Sequence, residues 1–311
     1  MYQYKKEPFG KWSKISFTDN KTGNGFSLVP DFGATLLELN FKGKNILDSY
    51  KTPEQLASGD WSKSAILFPF PNRLNDGKYS VNGKNYQFPI NEKARNNALH
   101  GLGFNQNFKV KNIITQEDFA SISCVYQSEG ENEAYPFSFL FEIIFTINNE
   151  NDFKVEMKFT NHSSHAIPVG LGWHPYFDLG NETDENWLLL PECMEVMVDD
   201  KMIPTGEKKV FEEFKKIKKI GTRSLDTCFE LKNKKGIKKI LLKGSLGKLT
   251  YWQEAGDRLW NFFQVFTPPF RKSVAIEPMT CNIDAFNNQD GLVMLESEKT
   301  LEGKFGVGFE D

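Results

Sequence analysis

FKVEMKFT, residues 153 to 160, alternates apolar and polar side chains at every position. Phe153, Val155, Met157 and Phe159 fall on one side of an extended chain, and Lys154, Glu156, Lys158 and Thr160 on the other. This two-residue period marks a β-strand with one dry face and one wet face. Just upstream, FSFLFEIIFTI (137 to 147) reads as a more deeply buried strand, and the polar NNEND between the two as a hairpin connection. GKYSVNGKNYQF (77 to 88) predicts a second hairpin, because Asn82-Gly83 accepts the positive φ angles of a tight turn between Tyr79/Val81 and Tyr86/Phe88.

Further out the same signals recur. KISFTD, GFSLVP, TLLELNF, SAILFPF, FASISCVYQ, KKILLKG, KLTYW, LWNFFQVFT, SVAIEP and LVMLES are strand candidates, separated by glycine, proline and asparagine turns. The 28 phenylalanines add to the β-rich character. Helix signals are few. TPEQLAS (52 to 58) has a capping Thr52, Pro53 at the first helical position and Gln55 three residues after the cap, and CNIDAFNN (281 to 288) suggests one more turn. The charged stretch 207 to 219 reads as a solvated insertion, and no linker or repeat divides the chain. The expectation is all-β: one large antiparallel sandwich, a single domain over residues 1 to 311.

The formal net charge of −3 supplies no positive field for nucleic acid. The amino terminus lacks the apolar core of a signal peptide, and no stretch approaches the roughly 18 apolar residues of a membrane span. A soluble cytoplasmic protein is expected, with no nucleic-acid or membrane partner, as a monomer or weak homodimer. Cys124, Cys193, Cys228 and Cys281 lie far apart without CxxC spacing, so reduced, buried thiols are expected rather than a zinc cluster or a disulfide framework.

Among the four histidines, His162 and His165 sit in the polar turn NHSSHA and read as solvated. His100, in NNALHGLGF, precedes Gly101 and Gly103, which let a backbone approach something closely. In GWHPYF an extended backbone sends Trp173 to one side and His174 with Tyr176 to the other, so Trp173 belongs to the core and His174 faces a different environment. In FPFPNRLNDGKY, alternating phenylalanine and proline stiffen the approach to Asn72 and Arg73, holding a guanidinium where carboxylates or hydroxyls can be bridged. In SVAIEPMTCN, Glu277 ends an apolar strand before Pro278, where burial would raise its pKa toward neutrality. Pairing with an arginine such as Arg271 is the alternative. Asp226, in RSLDTCFE, stands at a strand edge.

These stretches together carry a resemblance. FPFPNRLNDGKYSVNGKNYQF, NALHG, GWHPYFDL, LDTCF and VAIEPMTCNIDAF, in that order, resemble the aldose 1-epimerase (galactose mutarotase) family from about Phe17 to the terminal KFGVGFE. The resemblance implies a galactose mutarotase-like β-sandwich that interconverts the anomers of an aldohexose. Two proton transfers are needed, and no cofactor or metal. It assigns Glu277 as the base and His174 as the acid. His100, Arg73 and Asp226 then hold sugar hydroxyls, with Asn72 orienting Arg73 and Tyr176 packing the sugar. Leu102 stands where many members have a second glycine. The arginine that follows the HG pair in the hexose 6-phosphate branch is absent, which favours an unphosphorylated aldose, although Arg271 and Lys272 remain available to a phosphate. Two rival readings are a non-catalytic sugar-binding sandwich and a metal site built from His100, His174 and Glu277.

Overall fold

A computed structural model describes all 311 residues. The strand Asp152–Asn161 lies near the middle of a nine-stranded antiparallel sheet, paired with Ser138–Asn148 on one side and the carboxy-terminal Thr300–Glu310 on the other. The expected alternation holds: Phe153, Val155, Met157 and Phe159 are buried and the intervening side chains half-exposed. Ser138–Asn148 differs from its reading. Phe139, Phe141, Ile143, Phe145 and Ile147 are buried, but Leu140 and Ile144 lie half-exposed. In an antiparallel ladder every residue shares its face with its cross-strand partner, and these two face Thr160 and Glu156 on the wet side.

An eight-stranded sheet carries the site. Its order runs Pro204–Phe211, Cys193–Val198, Asp226–Leu231, Phe262–Phe266, Val274–Met279, Gly172–His174 and Ala65–Leu67, with Tyr176–Phe177 also pairing with Val274–Met279. A five-stranded amino-terminal sheet spans residues 3 to 45. One cluster of 67 buried apolar residues joins all three sheets, with Trp173 stacked on Phe305 at 5.5 Å between ring centres. α-Helix is limited to Pro53–Ser58, capped by Thr52, and Ala285–Asn288. Asn82 and Gly83 adopt φ of 51° and 74°, and Tyr79 faces Tyr86 across the hairpin.

Two expectations need correction. The stretch 207 to 219 is not a free insertion: its start belongs to the strand Pro204–Phe211, and Lys218–Lys219 pairs with Trp187–Leu189. Most of its charged side chains are solvated, as read, but Phe211 and Phe214 are buried in the core and its backbone closes two sheet edges, where lysines discourage further strand pairing. Glu277 does not end its strand, because Val274–Met279 continues through Pro278 opposite Phe263. A proline fits an extended strand when its missing N–H is not required by the ladder. All four cysteines are buried and unbridged.

Candidate active site

Three adjacent strands deliver side chains to one face. Gln264 stands opposite both Cys228 and Glu277 in register, and Asp226, two residues before Cys228, shares that face. The Gln264 amide donates to Asp226 Oδ1 at 2.6 Å. From the other side of Val274–Met279, Gly172–His174 brings in the imidazole, while Trp173 turns into the core. His174 Nε2 and Glu277 Oε1 lie 3.4 Å apart.

Arg73 and His100 arrive from paired strands, Arg73–Asn75 and Asn97–Leu99. Asn72 and His100 both adopt left-handed backbone angles, φ 60° and 67°, uncommon for residues with a Cβ. The cost is offset by mutual hydrogen bonds: the His100 N–H donates to the Asn72 carbonyl at 2.8 Å, and the Asn72 N–H donates to His100 Nδ1 at 3.3 Å. With Nδ1 accepting, a neutral His100 carries its proton on Nε2. Gly101 then passes so close to Phe68, and Gly103 to Ile66, that an added Cβ would lie 2.2 and 1.9 Å from the respective carbonyl oxygens. This is the close approach read from the sequence.

All seven nominated residues, Asn72, Arg73, His100, His174, Tyr176, Asp226 and Glu277, line one pocket of about 260 Å³. That is near the small end of ligand cavities, which run roughly 300–1,000 Å³. Tyr176 stacks on His174 at 5.0 Å and donates its hydroxyl to the Trp61 carbonyl at 3.0 Å, so it braces the imidazole from behind. Asn72 Oδ1 accepts from the Arg73 backbone at 2.9 Å and from its Nη1 at 3.3 Å. His162 and His165 stay in their solvated turn and do not line this pocket. Arg271 is not the partner of Glu277: its guanidinium is committed to Asp184 and to the carbonyls of Gly221 and Arg223. No group of three or more His, Cys, Asp or Glu side chains has a metal-binding arrangement.

Burial governs the electrostatics. It pushes the Glu277 carboxyl well above its ordinary 4.5, with Asp226 adding to the rise and Arg73 opposing it. It pushes the His174 imidazole down to about 3, and holds His100 well below 6.5 with help from His174 and Arg73. Both shifts favour the uncharged forms, a protonated Glu277 carboxyl beside a neutral His174 imidazole.

Several residues escaped the sequence reading. Gln264, in FFQVF, is a polar side chain in an apolar run, a signal that could have found it. Trp61, Ser62 and Phe266 also line the pocket and had no such mark. Glu92 lies behind the pocket wall and forks onto Arg73, with Nε and Nη2 each 2.9 Å from a carboxylate oxygen. Burial opposes its charge, but the hydrogen bonds from Arg73 and Asn97 outweigh that and hold it below the usual carboxylate range. This clamp sets the guanidinium plane. Glu92→Gln is expected to raise KM for a sugar by on the order of tenfold, with a smaller change in kcat, since a charge-assisted bond is worth ~1.5–3 kcal/mol. Steady-state kinetics would check this; an unchanged KM would show that Arg73 needs no such support.

The fold and this pocket define a mutarotase-like β-sandwich with a buried imidazole and carboxyl side by side in its pocket. Residues 17 to 307 match the family model described as aldose 1-epimerase, and the chain belongs to that family. Among curated relatives, the uncharacterized protein YihR of Escherichia coli (strain K12) is 30% identical over 291 residues, covering 89% of this chain and 88% of YihR. Galactose mutarotase of Homo sapiens is 28% identical over 150 residues, covering 46% of this chain and 41% of that protein. Among solved structures, a galactose mutarotase-like protein from Clostridium acetobutylicum superposes with a TM-score of 0.86 at 23% identity, covering 100% of this chain and 98% of that one. Galactose 1-epimerase from Lactobacillus acidophilus NCFM gives 0.82 at 16% identity, with 100% and 98% covered. These structural likenesses establish the fold.

Proposed function

We propose that the protein is an aldose 1-epimerase that interconverts the α and β anomers of a free, unphosphorylated aldohexose without a cofactor. The observation that carries this reading is the buried imidazole and carboxylate 3.4 Å apart in one sugar-sized pocket. Ring opening moves the C1 hydroxyl proton to Glu277 while the C1–O5 electron pair leaves with O5, which takes a proton from His174. Rotation about C1–C2 turns the other aldehyde face inward, and closure returns both protons in the opposite sense. The pair must hold one proton throughout. In the empty pocket burial favours that proton on Glu277. The field of Arg73 favours the carboxylate, and passing the shared proton to His174 Nε2, 3.4 Å away, leaves Glu277 as the carboxylate base and His174 as the imidazolium acid. His100, Arg73, Asp226 and Gln264 would hold hydroxyls, fixing the ring between the two proton carriers.

The choice of a neutral sugar rests on charge. Arg73 is the one arginine or lysine lining the pocket, and it is already opposed by Glu92 at 2.9 Å and Asp226 at 3.8 Å. Of the other two candidates for a phosphate, Arg271 is spent on Asp184, and Lys272 is exposed and does not line the pocket. Polarimetry of freshly dissolved α-glucose, α-galactose and glucose 6-phosphate tests the reading: the free hexoses should equilibrate faster with enzyme, and the phosphate should not. Acceleration of the phosphate ester alone would overturn the substrate assignment. No acceleration of any aldose would favour a sugar-binding protein.

A further inference from the structure

An aromatic surface leads out of the pocket. Phe266 lines the interior; Trp61 also lines the pocket, yet is 46% exposed; Phe270, 36% exposed, lies beyond the pocket wall. Trp61 stacks on Phe266 at 6.2 Å and meets Phe270 edge-on at 5.4 Å. Nearly half the surface of an indole is therefore open to solvent immediately beside a cavity of about 260 Å³.

The loop that presents Trp61 is held firmly. Trp61, Ser62 and Ser64 have φ of 65°, 49° and 57°, a left-handed conformation that costs energy at residues bearing a Cβ. Four hydrogen bonds hold it there. Tyr176 Oη donates to the Trp61 carbonyl, Ser64 N–H donates to the His174 carbonyl at 2.8 Å, and Tyr50 Oη bridges the Asp60 carbonyl and the Lys63 N–H, both at 3.0 Å. The indole is thus tied through Tyr176 and His174 to the acid/base pair. Lys63, anchored to Asp48 at 2.6 Å, places its ammonium 5.3 Å from the Phe270 ring centre. An exposed aromatic held rigidly is suited to binding, because little freedom is lost when a ligand covers it.

The other way out of the pocket passes Leu99 into a groove with several amides. Those amides are committed to their own loops: Asn91 to Leu99, Gln106 to the Leu102 carbonyl, and Asn132 to the Ala134 N–H. That groove offers hydroxyl groups less than the aromatic route offers an apolar sugar face.

Resting on the epimerase reading, we propose that Trp61 and Phe270 form a subsite for the second ring of a reducing disaccharide, whose reducing ring sits between Glu277 and His174. The free anomeric carbon enters first and the glycosidic substituent runs out over the indole. A pyranose presents an apolar C–H face of the size of an aromatic ring, and such contacts contribute up to ~1.5 kcal/mol, on the order of tenfold in affinity.

The test compares lactose and maltose with galactose and glucose. By polarimetry, wild-type kcat/KM for a disaccharide should match or exceed that for its monosaccharide. Phe270→Ala should lower the disaccharide-to-monosaccharide ratio by on the order of tenfold, and Trp61→Ala by at least as much. Calorimetric binding of the same sugars to Glu277→Gln repeats the comparison without turnover. Tighter disaccharide binding that Phe270→Ala abolishes supports the subsite even if the epimerase reading fails. Hexose exchange without disaccharide exchange, or ratios that neither substitution changes, would overturn the subsite and leave the epimerase reading intact.

Discussion

Glu277→Gln is expected to slow anomer exchange by on the order of 10²- to 10⁴-fold, the worth of one positioned general base. The amide keeps the volume and the hydrogen-bonding shape of the carboxyl but cannot accept the C1 hydroxyl proton. Sugar affinity should change little, because Arg73, His100, Asp226 and Gln264 remain in place around the pocket. The fold should not suffer. Glu277 is 2% exposed and its pKa is raised, so the folded protein keeps a proton that the unfolded chain loses above its ordinary 4.5. A carboxyl with a raised folded pKa costs stability increasingly as pH rises above that value, and the amide removes the cost. The variant should therefore melt no lower than wild type at neutral pH. Polarimetric rates with a calorimetric Kd and a melting curve separate these effects. Exchange at the wild-type rate would remove Glu277 from the mechanism.

The second large effect concerns His174 and is read from a pH profile. An unperturbed pair, with ordinary values of 4.5 for Glu and 6.5 for His, keeps a single shared proton only between those limits. Here burial moves the limits apart. His174 takes up a second proton only as pH falls through about 3, and Glu277 gives up the shared proton only well above 4.5. In the proposed mechanism the one-proton pair is the active form, so kcat/KM should fall on the acid side only near 3 and on the alkaline side only as pH rises through the raised Glu277 value. An acid limb at either ordinary value would contradict the buried pair. His174→Asn should lose on the order of 10²- to 10⁴-fold and also reverse the alkaline limb. With no acid partner, residual activity depends on the Glu277 carboxylate alone and should rise with pH where wild type declines.

The pocket was partly legible before any coordinates. GWHPYF contains its own geometry: an extended backbone must put Trp173 and His174 on opposite sides, and Trp173 packs on Phe305 while His174 meets Glu277. The paired glycines of HGLG allowed a close backbone contact, and Phe68 and Ile66 provide it. What escaped notice were residues whose role exists only through a partner. Glu92 acts through Arg73, 19 positions away, and Gln264 through Asp226, 38 positions away. Trp61 belongs to a loop whose left-handed turns are imposed by Tyr50, Tyr176 and His174 rather than by glycines of its own. The misreading of 137 to 147 has the same root. Leu140 and Ile144 add to local hydrophobicity, but their exposure is set by the strand opposite.

By itself the sequence determined the strand-rich architecture, because the two-residue period of FKVEMKFT and the turn residues between strands are local properties of an extended chain. It also determined which side chains bear ionisable groups in positions that a core strand could bury. Only the tertiary structure decided that the His174 imidazole is buried 3.4 Å from the Glu277 carboxyl and that Glu92 clamps Arg73. Proton affinity and orientation are set by desolvation and by partners across strands, and neither exists until the sheets assemble around the pocket.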